Sequence, residues 1–260
     1  MNSFGDLKVL RERPIPDQAG PRAARAGCRK RVPIDEKNPA FGEVLSEARR
    51  DGLKGENYYH SPRNPPYWRP ADGAIPELWL RKTLIDKLQA VNARSGMLGL
   101  EVFLFDGWRP RAVQAYFHDV WMPAELQRRN PALTGAALTA EVETYWAAPS
   151  EDKGSPAPHE TGGAVDLTLR WRDGQHLWMG SIFDDVTAMA HRDRFETGAG
   201  ALSYSDEEAR ANRRLLHWLM VDEGFAAHPD EWWHFSYGDQ MWAALTGAPA
   251  ALYGVTKPPI

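Results

Sequence analysis

Apolar residues recur along the chain at spacings that alternate between those of helices and those of short strands. In residues 77–93 they follow the i, i+3, i+4, i+7 spacing of a helix, with Pro76 before it and Gly96 after it. Residues 100–105 form a short apolar and aromatic run that ends at Asp106-Gly107. That run predicts a buried strand followed by a turn.

The later elements are predicted from the same kinds of signal: periodicity, turn residues and caps. They are, in chain order, a helix over 111–121, two short helices around Pro131 and Gly135, a strand over 164–169 with a hairpin partner at 175–178, a helix capped by Ser205 and Glu208 that stops at Gly224, and a strand over 231–237.

Together these elements predict an α+β fold. Helices alternate with short strands through irregular connections, without the regular rhythm of a doubly wound βαβ sheet. We therefore expect a central, mostly antiparallel sheet with flanking helices. A chain of 260 residues is near the length at which one hydrophobic core stops growing, so we expect a single domain.

Two segments before the first predicted helix have unusual compositions. Residues 1–33 carry eight Lys or Arg against three acidic residues, with four Pro and little apolar periodicity. This predicts a poorly ordered basic arm ahead of a folded domain over 34–260, and a tether to an anionic partner is the functional alternative. Residues 57–76 are rich in aromatics and proline, so we expect them to lie extended against the domain as a lining or lid.

Composition argues against several classes of function. The net charge of -4 offers no general attraction to nucleic acid or to anionic lipid. No apolar run approaches the roughly 18 residues of a membrane span, and no apolar segment follows the start, so we expect a cytoplasmic protein. The single cysteine, Cys28, cannot form an internal disulfide or a thiolate metal cage, so any metal site must use His and carboxylate ligands.

Three residues in the second half of the chain have the chemistry of a catalytic metal site. His159 lies in a Gly/Pro loop just before a predicted strand, Asp166 lies in that strand, and His234 lies in the last strand. Two imidazoles and one carboxylate are a standard ligand set for catalytic zinc, which keeps a further position open for water. The glycine pair at 162–163 gives the tight turn that lets the first two ligands face one point.

Two further residues are candidates for the chemistry around such a metal. Glu231 is the natural general base, but residues three apart on a regular strand point to opposite faces. We therefore place Glu231 at the end of the loop and His234 inside the strand, with a bulge or twist between them. Arg109, in the stretch GWRP, could stabilise an oxyanion.

Each of these residues also has a structural interpretation. A histidine in an aromatic strand is commonly a satisfied core residue, which applies to His234. Asp166 could bond backbone amides in a turn, and Arg109 could form a structural ion pair. Trp232 and Trp233 are better explained as packing anchors than as a sugar platform. Spacing alone leaves these alternatives open.

Four motifs give the chain a resemblance to the VanX-type D-alanyl-D-alanine dipeptidases. That family of zinc peptidases has a Ser-x-His-x-x-Gly-x-Ala-x-Asp run, a later Glu-x-x-His, an Arg-Pro after a strand and a Met-Gly-x-x-Phe-Asp segment. The corresponding stretches here are SPAPHETGGAVDLTL, EWWHF, FDGWRP and MGSIFD, in the family's order over roughly 77–237.

The resemblance implies a fold shared with D,D-peptidases and hedgehog domains. It also implies hydrolysis of D-alanyl-D-alanine, or of a similar small dipeptide with a free amino terminus, at one zinc ion per chain. The residues implied to act are His159, Asp166 and His234 as zinc ligands, Glu231 as the base, Arg109 as the partner of the carbonyl or oxyanion, and Asp184 as the acceptor of the substrate's ammonium.

One departure from the family pattern bears on the substrate. The family's serine two residues before the first ligand, which engages substrate in relatives, is Ala157 here, and Ser155 lies two residues further upstream. Two alternative functions therefore stay open: a D,D-carboxypeptidase-like enzyme on peptidoglycan stem peptides, and a non-catalytic zinc-containing binding module. The presence of Glu231 and Arg109 argues against the binding module, which has no chemical need for a base beside the metal.

Overall fold

Helices surround a five-stranded sheet in the computed structural model, which describes residues 4–196 and 202–259. The α-helices of this part of the chain are α1 (Phe4–Glu12), α2 (Ala19–Arg25), α3 (Cys28–Arg31), α4 (Lys82–Gly96), α5 (Arg111–Tyr116), α6 (Met122–Arg129), α7 (Gly135–Tyr145), α8 (Tyr204–Asp222) and α9 (Gln240–Thr246). The strands are β1 (Leu45–Glu47), β2 (Lys54–Gly55), β3 (Trp79–Arg81), β4 (Leu100–Asp106), β5 (Ala164–Trp171), β6 (Ala226–Ala227) and β7 (His234–Ser236). None of the described helices combines the length and apolarity needed to cross a membrane.

The central sheet has the strand order β2-β4-β5-β7-β6. The β2 and β4 strands pair in parallel, and the other three pairs are antiparallel. A second sheet consists of β1 and β3 alone. The prediction of an α+β fold with a central, mostly antiparallel sheet in a single domain is therefore confirmed.

The core lies where α4 and α8 pack against each other, with α4 also packing on β4. Leu84, Leu88 and Val91 recur along α4 at three- and four-residue spacings and are fully buried, which is why this segment is a helix. The helix begins at Lys82, later than the periodicity predicts. The preceding residues instead form β3, because β1 offers them a pairing partner that local periodicity does not show.

Several other predicted elements are present with shifted details. The helix over 111–121 is α5 continued by a π-helical turn, Phe117–Trp121. The cap of α8 is Ser203, whose hydroxyl accepts a hydrogen bond from the amide of Asp206 at 3.2 Å, so the prediction of Ser205 is wrong by two residues. The predicted hairpin partner over 175–178 is not a regular strand, but it pairs with β5 through an antiparallel bridge between Arg170 and His176 and through a hydrogen bond from the amide of Leu177 to the carbonyl of Leu169 at 3.0 Å.

The N-terminal segment is helical, and the expectation of a poorly ordered basic arm is wrong for its described part; residues 1–3 lie outside the described residues. Leu7, Leu10 and Ile15 are buried, and α1 packs against α8. Arg22 of α2 pairs with Asp193 and Asp230 at 2.8 and 2.6 Å. Basic residues that look like a solvated arm in the sequence thus have distant acidic partners, so the folded domain begins before residue 34.

The packing of α1 predicts a measurable contribution to stability. Leu7→Ala should lower the free energy of unfolding by about 2–5 kcal/mol, because it leaves a cavity beneath α1. Leu7 is 1% exposed, whereas Val9 on the same helix is 56% exposed, so Val9→Ala is the matched control. Urea unfolding of the two variants measures the difference. Equal stability of both variants would contradict the packing described here.

Candidate active site

Three neighbouring strands bring acidic and imidazole side chains into one row. Asp166 of β5 lies directly opposite Asp106 of β4 on one side and His234 of β7 on the other. Directly opposed residues on paired strands project from the same face of a sheet. A register shift between Leu104 and Asp106 ends the regular pairing of β4 at this row.

His159 reaches this row from a single turn of 3-10 helix, Pro158–Thr161, just before β5. The turn ends at Gly162 in the left-handed conformation, with φ 69°, where a Cβ atom would also collide with Leu45. A Cβ on Gly163 would lie 2.7 Å from the carbonyl oxygen of Tyr237. The tight glycine turn predicted between His159 and Asp166 is therefore confirmed.

The ligand atoms of His159, Asp166 and His234 are spaced as a metal site requires. All three residues are buried, and their candidate ligand atoms lie within 4.8 Å of one another. His159 Nε2 is 3.2 Å from His234 Nδ1 and 3.4 Å from Asp166 Oδ2, and His234 Nδ1 is 3.0 Å from Asp166 Oδ1. Tetrahedral coordination with bonds of about 2.0–2.1 Å places ligand atoms about 3.3–3.4 Å apart. The spacing fits a metal such as zinc.

Hydrogen bonds determine which nitrogen of each imidazole is free to bind a metal. His159 Nδ1 lies 2.7 Å from the carbonyl oxygen of Gly107, which only accepts, so Nδ1 carries the proton and Nε2 keeps its lone pair. Ser236 Oγ donates to Asp239 Oδ2 at 2.6 Å and lies 3.3 Å from His234 Nε2, so Nε2 donates to the serine. His234 Nδ1 is then the free lone pair. Such outer partners are typical of metal-binding histidines.

The protonation state of His234 and the unpaired oxygen of Asp166 also suit a metal. Burial lowers the pKa of His234 to about 4, so its imidazole is neutral near pH 7. Asp166 Oδ1 is buried and finds no hydrogen-bond donor among the described residues, although its neighbour Oδ2 lies 3.3 Å from Arg109 Nη2. A buried carboxylate oxygen without a donor needs a cation to balance it. This oxygen does not bond backbone amides, which removes the structural alternative for Asp166.

Glu231 lies beside the trio from a position just ahead of β7. Its Oε2 is 3.6 Å from His234 Nδ1, and its backbone carbonyl accepts a hydrogen bond from Arg192 Nη2 at 2.7 Å. Burial, together with the negative charges of Asp166 and Asp184, raises the pKa of Glu231 well above its ordinary value. Glu231 is in the loop and His234 in the strand, as the spacing argument requires.

Arg109 is held rigidly at the end of β4. Its Nε donates to Asp106 Oδ2 at 2.9 Å and its Nη1 to Gln114 Oε1 at 2.8 Å. Its guanidinium lies over the rings of Tyr59 and Trp146, with 4.6 and 4.7 Å to the ring centroids. The contacts of Nη2, at 3.2 Å to the Tyr59 hydroxyl and 3.3 Å to Asp166, are the longest. Nη2 is therefore the nitrogen most available to a substrate oxygen.

Asp184 is buried, and two tyrosine hydroxyls donate to one of its oxygens. Tyr59 and Tyr67 each donate to Oδ2 at 2.8 Å. Burial, reinforced by the charge of Asp166, raises the pKa of Asp184 to about 7. Both tyrosines belong to the aromatic segment over 57–76, which the sequence predicts to be a lining or lid. No local pattern distinguishes these two rings from the other aromatic residues of the segment.

A cavity of about 580 Å³ joins these groups, in the range typical of small-molecule sites. Its lining includes all six residues singled out in the sequence analysis: His159, Asp166, His234, Glu231, Arg109 and Asp184. Arg192 and Ser236, which support Glu231 and His234, were missed because buried residues of these types carry no local signal. Asp106 lies within the quoted motif FDGWRP and was missed only as an individual residue.

The sequence profile of a peptidase family described as D-ala-D-ala dipeptidase matches residues 77–246. The chain belongs to this family. Among curated relatives, a D-alanyl-D-alanine dipeptidase of Synechocystis sp. is 37% identical over 154 residues, covering 55% of this chain and 62% of that protein. One of Enterococcus faecium is 28% identical over 159 residues, covering 60% and 72%. The match thus spans less than two thirds of the length of the Synechocystis protein.

Solved structures of D,D-peptidases are more distant. The vancomycin resistance D,D-pentapeptidase VanY, a mutant in complex with Zn(II), has 15% identity and a TM-score of 0.42, with 85% of this chain and 90% of that chain covered. VanYB in complex with D-Alanine-D-Alanine has 18% identity and a TM-score of 0.39, with 68% and 87% covered.

The departure of this D-ala-D-ala dipeptidase family member from the serine pattern has a structural counterpart. Ala157 is fully buried, and its amide donates to Glu160 Oε2 at 2.9 Å within the 3-10 turn. Ser155, in contrast, lines the cavity. A serine is therefore present on this side of the cavity, two residues upstream of Ala157.

The hydrogen bond from His234 to Ser236 predicts an effect on metal affinity. Ser236→Ala should weaken zinc binding by about 10- to 100-fold, because His234 loses the partner that fixes its tautomer. Competition with a fluorescent chelator measures the affinity. The control is Ser95→Ala, a fully buried serine whose hydroxyl donates to the carbonyl of Asn92. Equal zinc affinity in the two variants would show that Ser236 does not support the metal site.

Proposed function

We propose that the chain is a zinc-dependent dipeptidase that hydrolyses D-alanyl-D-alanine, or a similar small dipeptide with a free amino terminus, at one zinc ion per chain. The observation that carries the proposal is the shared cavity, in which a three-ligand metal set lies beside a buried glutamate, a fixed guanidinium and a buried aspartate. Membership of the D-ala-D-ala dipeptidase family and the names of the relatives support the same substrate. A cytoplasmic location stays a prediction from the sequence.

His159 Nε2, Asp166 and His234 Nδ1 would hold the zinc ion. Bound there, zinc supplies Lewis acidity and lowers the pKa of a water in the site toward about 7. Two neutral imidazoles and one carboxylate leave the site with a net positive charge. The three ligands therefore hold the ion without cancelling its electrophilic character.

Glu231 would act as the general base. It accepts a proton from the water that attacks the scissile carbonyl and returns that proton to the leaving amine. A carboxylate with an ordinary pKa is a poor donor near pH 7, and the raised pKa of Glu231 improves the second half of this role. Arg192, bonded to the carbonyls of His228, Glu231 and His234, fixes the loop that presents the base.

Arg109 and Asp184 would orient the substrate. Arg109 Nη2 donates to the carbonyl oxygen as negative charge develops on it, and the bonds to Asp106 and Gln114 keep the guanidinium preorganised. Asp184 accepts the substrate's ammonium group. A capped, uncharged amino end would leave that buried carboxylate without a cationic partner, which disfavours blocked substrates.

A panel of substrates tests the proposal against its alternatives. Pure protein with zinc is incubated with D-Ala-D-Ala, with L-Ala-L-Ala and with a stem peptide that ends in D-Ala-D-Ala. The dipeptidase should cleave D-Ala-D-Ala fastest. Preferred trimming of the stem peptide would favour a D,D-carboxypeptidase instead, and cleavage of none with zinc bound would favour a binding module.

The role of Glu231 predicts a separation of metal binding from turnover. Glu231→Gln should lower kcat by about 10²- to 10⁴-fold, because the amide cannot accept the proton from water. Zinc should stay bound in this variant. Steady-state kinetics and the zinc content of the purified protein measure the two effects. Glu143→Gln, at an exposed glutamate that lines the same cavity, is the matched control and should retain activity. Near-normal turnover in Glu231→Gln would remove this residue from the mechanism.

The role of Asp184 predicts a change in selectivity for the amino end. The native protein should cleave free D-Ala-D-Ala far better than its N-acetyl form. Asp184→Asn should reduce this preference by about 10-fold or more, because the ion pair with the ammonium is lost while the shape is kept. The ratio of kcat/KM values for the two substrates measures it. An unchanged ratio would show that the ammonium binds elsewhere.

A further inference from the structure

The N-terminal segment contributes one wall of the active-site cavity. Residues 25–30, at the end of α2 and in α3, line the same cavity as Glu231, Asp166 and Asp184. They lie outside the region matched by the family profile, which begins at residue 77. The family match therefore says nothing about what this wall does.

Specific contacts fix this wall in place. Arg22 holds α2 through Asp193 and Asp230, and Arg29 donates to the carbonyls of Ser155 and Pro156 at 2.6 and 2.8 Å. Gln240 of α9 donates to the carbonyls of Arg29, Val32 and Gly154 at distances of 2.6–2.9 Å. A segment held this way presents its side chains to the cavity in fixed positions.

Among the cations of this wall, Arg25 shares the cavity with Glu231 and Asp184 and has unused donors. Its Nη2 makes one long contact, 3.3 Å to Asp230 Oδ2, and its Nε is buried without a hydrogen-bond partner in the described residues. Arg29 spends its donors on backbone carbonyls, and Lys30 is exposed. The charge of Arg25 is also felt at Glu231, where it opposes the rise in pKa.

A dipeptide has a negatively charged terminal carboxylate, and none of the residues assigned so far pairs with it. Its ammonium faces Asp184 and its carbonyl faces Arg109, whereas its terminal carboxylate needs donors of its own. Arg109 does not supply them as well, because its Nε and Nη1 bond Asp106 and Gln114 and its Nη2 is assigned to the scissile carbonyl. A guanidinium with free donors matches a carboxylate in charge and in geometry.

We propose that Arg25 binds the terminal carboxylate of the substrate. It thereby selects peptides in which only one residue follows the scissile bond. This assignment rests on the proposed dipeptidase function and names a specificity determinant outside the family-matched region. The carboxylate takes up the Nη donors that the described residues leave unused, because the buried Nε has no surface open to a ligand. Asp230 keeps its bond to Arg22, so α2 stays anchored when Arg25 is replaced.

The experiment compares D-Ala-D-Ala with its C-terminal amide, which lacks the carboxylate. Arg25→Gln should lower kcat/KM for the free dipeptide by about 10- to 100-fold, mainly through KM, and leave the value for the amide unchanged. Arg25→Lys should recover part of the loss, because it keeps the charge without the planar fork. The control is Lys37→Gln, which removes one charge from an exposed residue that does not line the cavity. It should leave kcat/KM unchanged for both substrates.

The outcomes separate this assignment from the function it rests on. An equal loss for both substrates in Arg25→Gln would overturn the assignment and show that Arg25 acts only through Asp230 and the loop of Glu231. An unchanged preference for the free dipeptide would overturn it as well. If the unmodified protein cleaves neither substrate, the proposed dipeptidase function fails, and the carboxylate assignment fails with it.

Discussion

The pairing register of β5 between β4 and β7 is the constraint on which the site depends. It places Asp166 between Asp106 and His234 in a single row across three strands. Because side chains alternate between the two faces of a strand, a slip of one residue would turn Asp166 to the opposite face and dissolve the cluster. Five other residues of β5 near Asp166 are also buried. Their packing in the core opposes a slip of the strand.

Negative charge is concentrated at this row, and it contributes to the raised pKa values of nearby carboxyl groups. Asp106, Asp166, Asp184 and Glu231 are all buried, and Arg109 is the cation that contacts two of them. Burial and mutual repulsion raise the pKa of Asp184 and of Glu231. A divalent cation at the trio and an ammonium at Asp184 would restore the balance of charge. The cavity is therefore electrostatically suited to a metal and a zwitterionic substrate together.

The parts of the site that depend on neighbouring residues in the chain can be predicted from the sequence. The turn between His159 and Asp166 needs glycine, and the conflict between the spacing of Glu231 and a regular strand correctly places that residue in the loop. Contacts with remote partners cannot be predicted in this way. Arg22 looks solvated until Asp230, 208 residues away, is brought beside it. The same holds for Tyr59, whose hydrogen bond to Asp184 spans 125 residues. Local sequence patterns therefore predict neither the packing of the N-terminal helices nor the two tyrosine hydroxyls on Asp184.

The most direct test of the central claim is a crystal structure of the zinc-loaded protein with anomalous data at the zinc absorption edge. We expect one strong anomalous peak per chain, about 2.0–2.2 Å from His159 Nε2, His234 Nδ1 and an oxygen of Asp166. The carboxylate of Glu231 should lie beside it without binding the ion. A peak held by other residues, or no peak at this row with zinc in excess, would contradict the account.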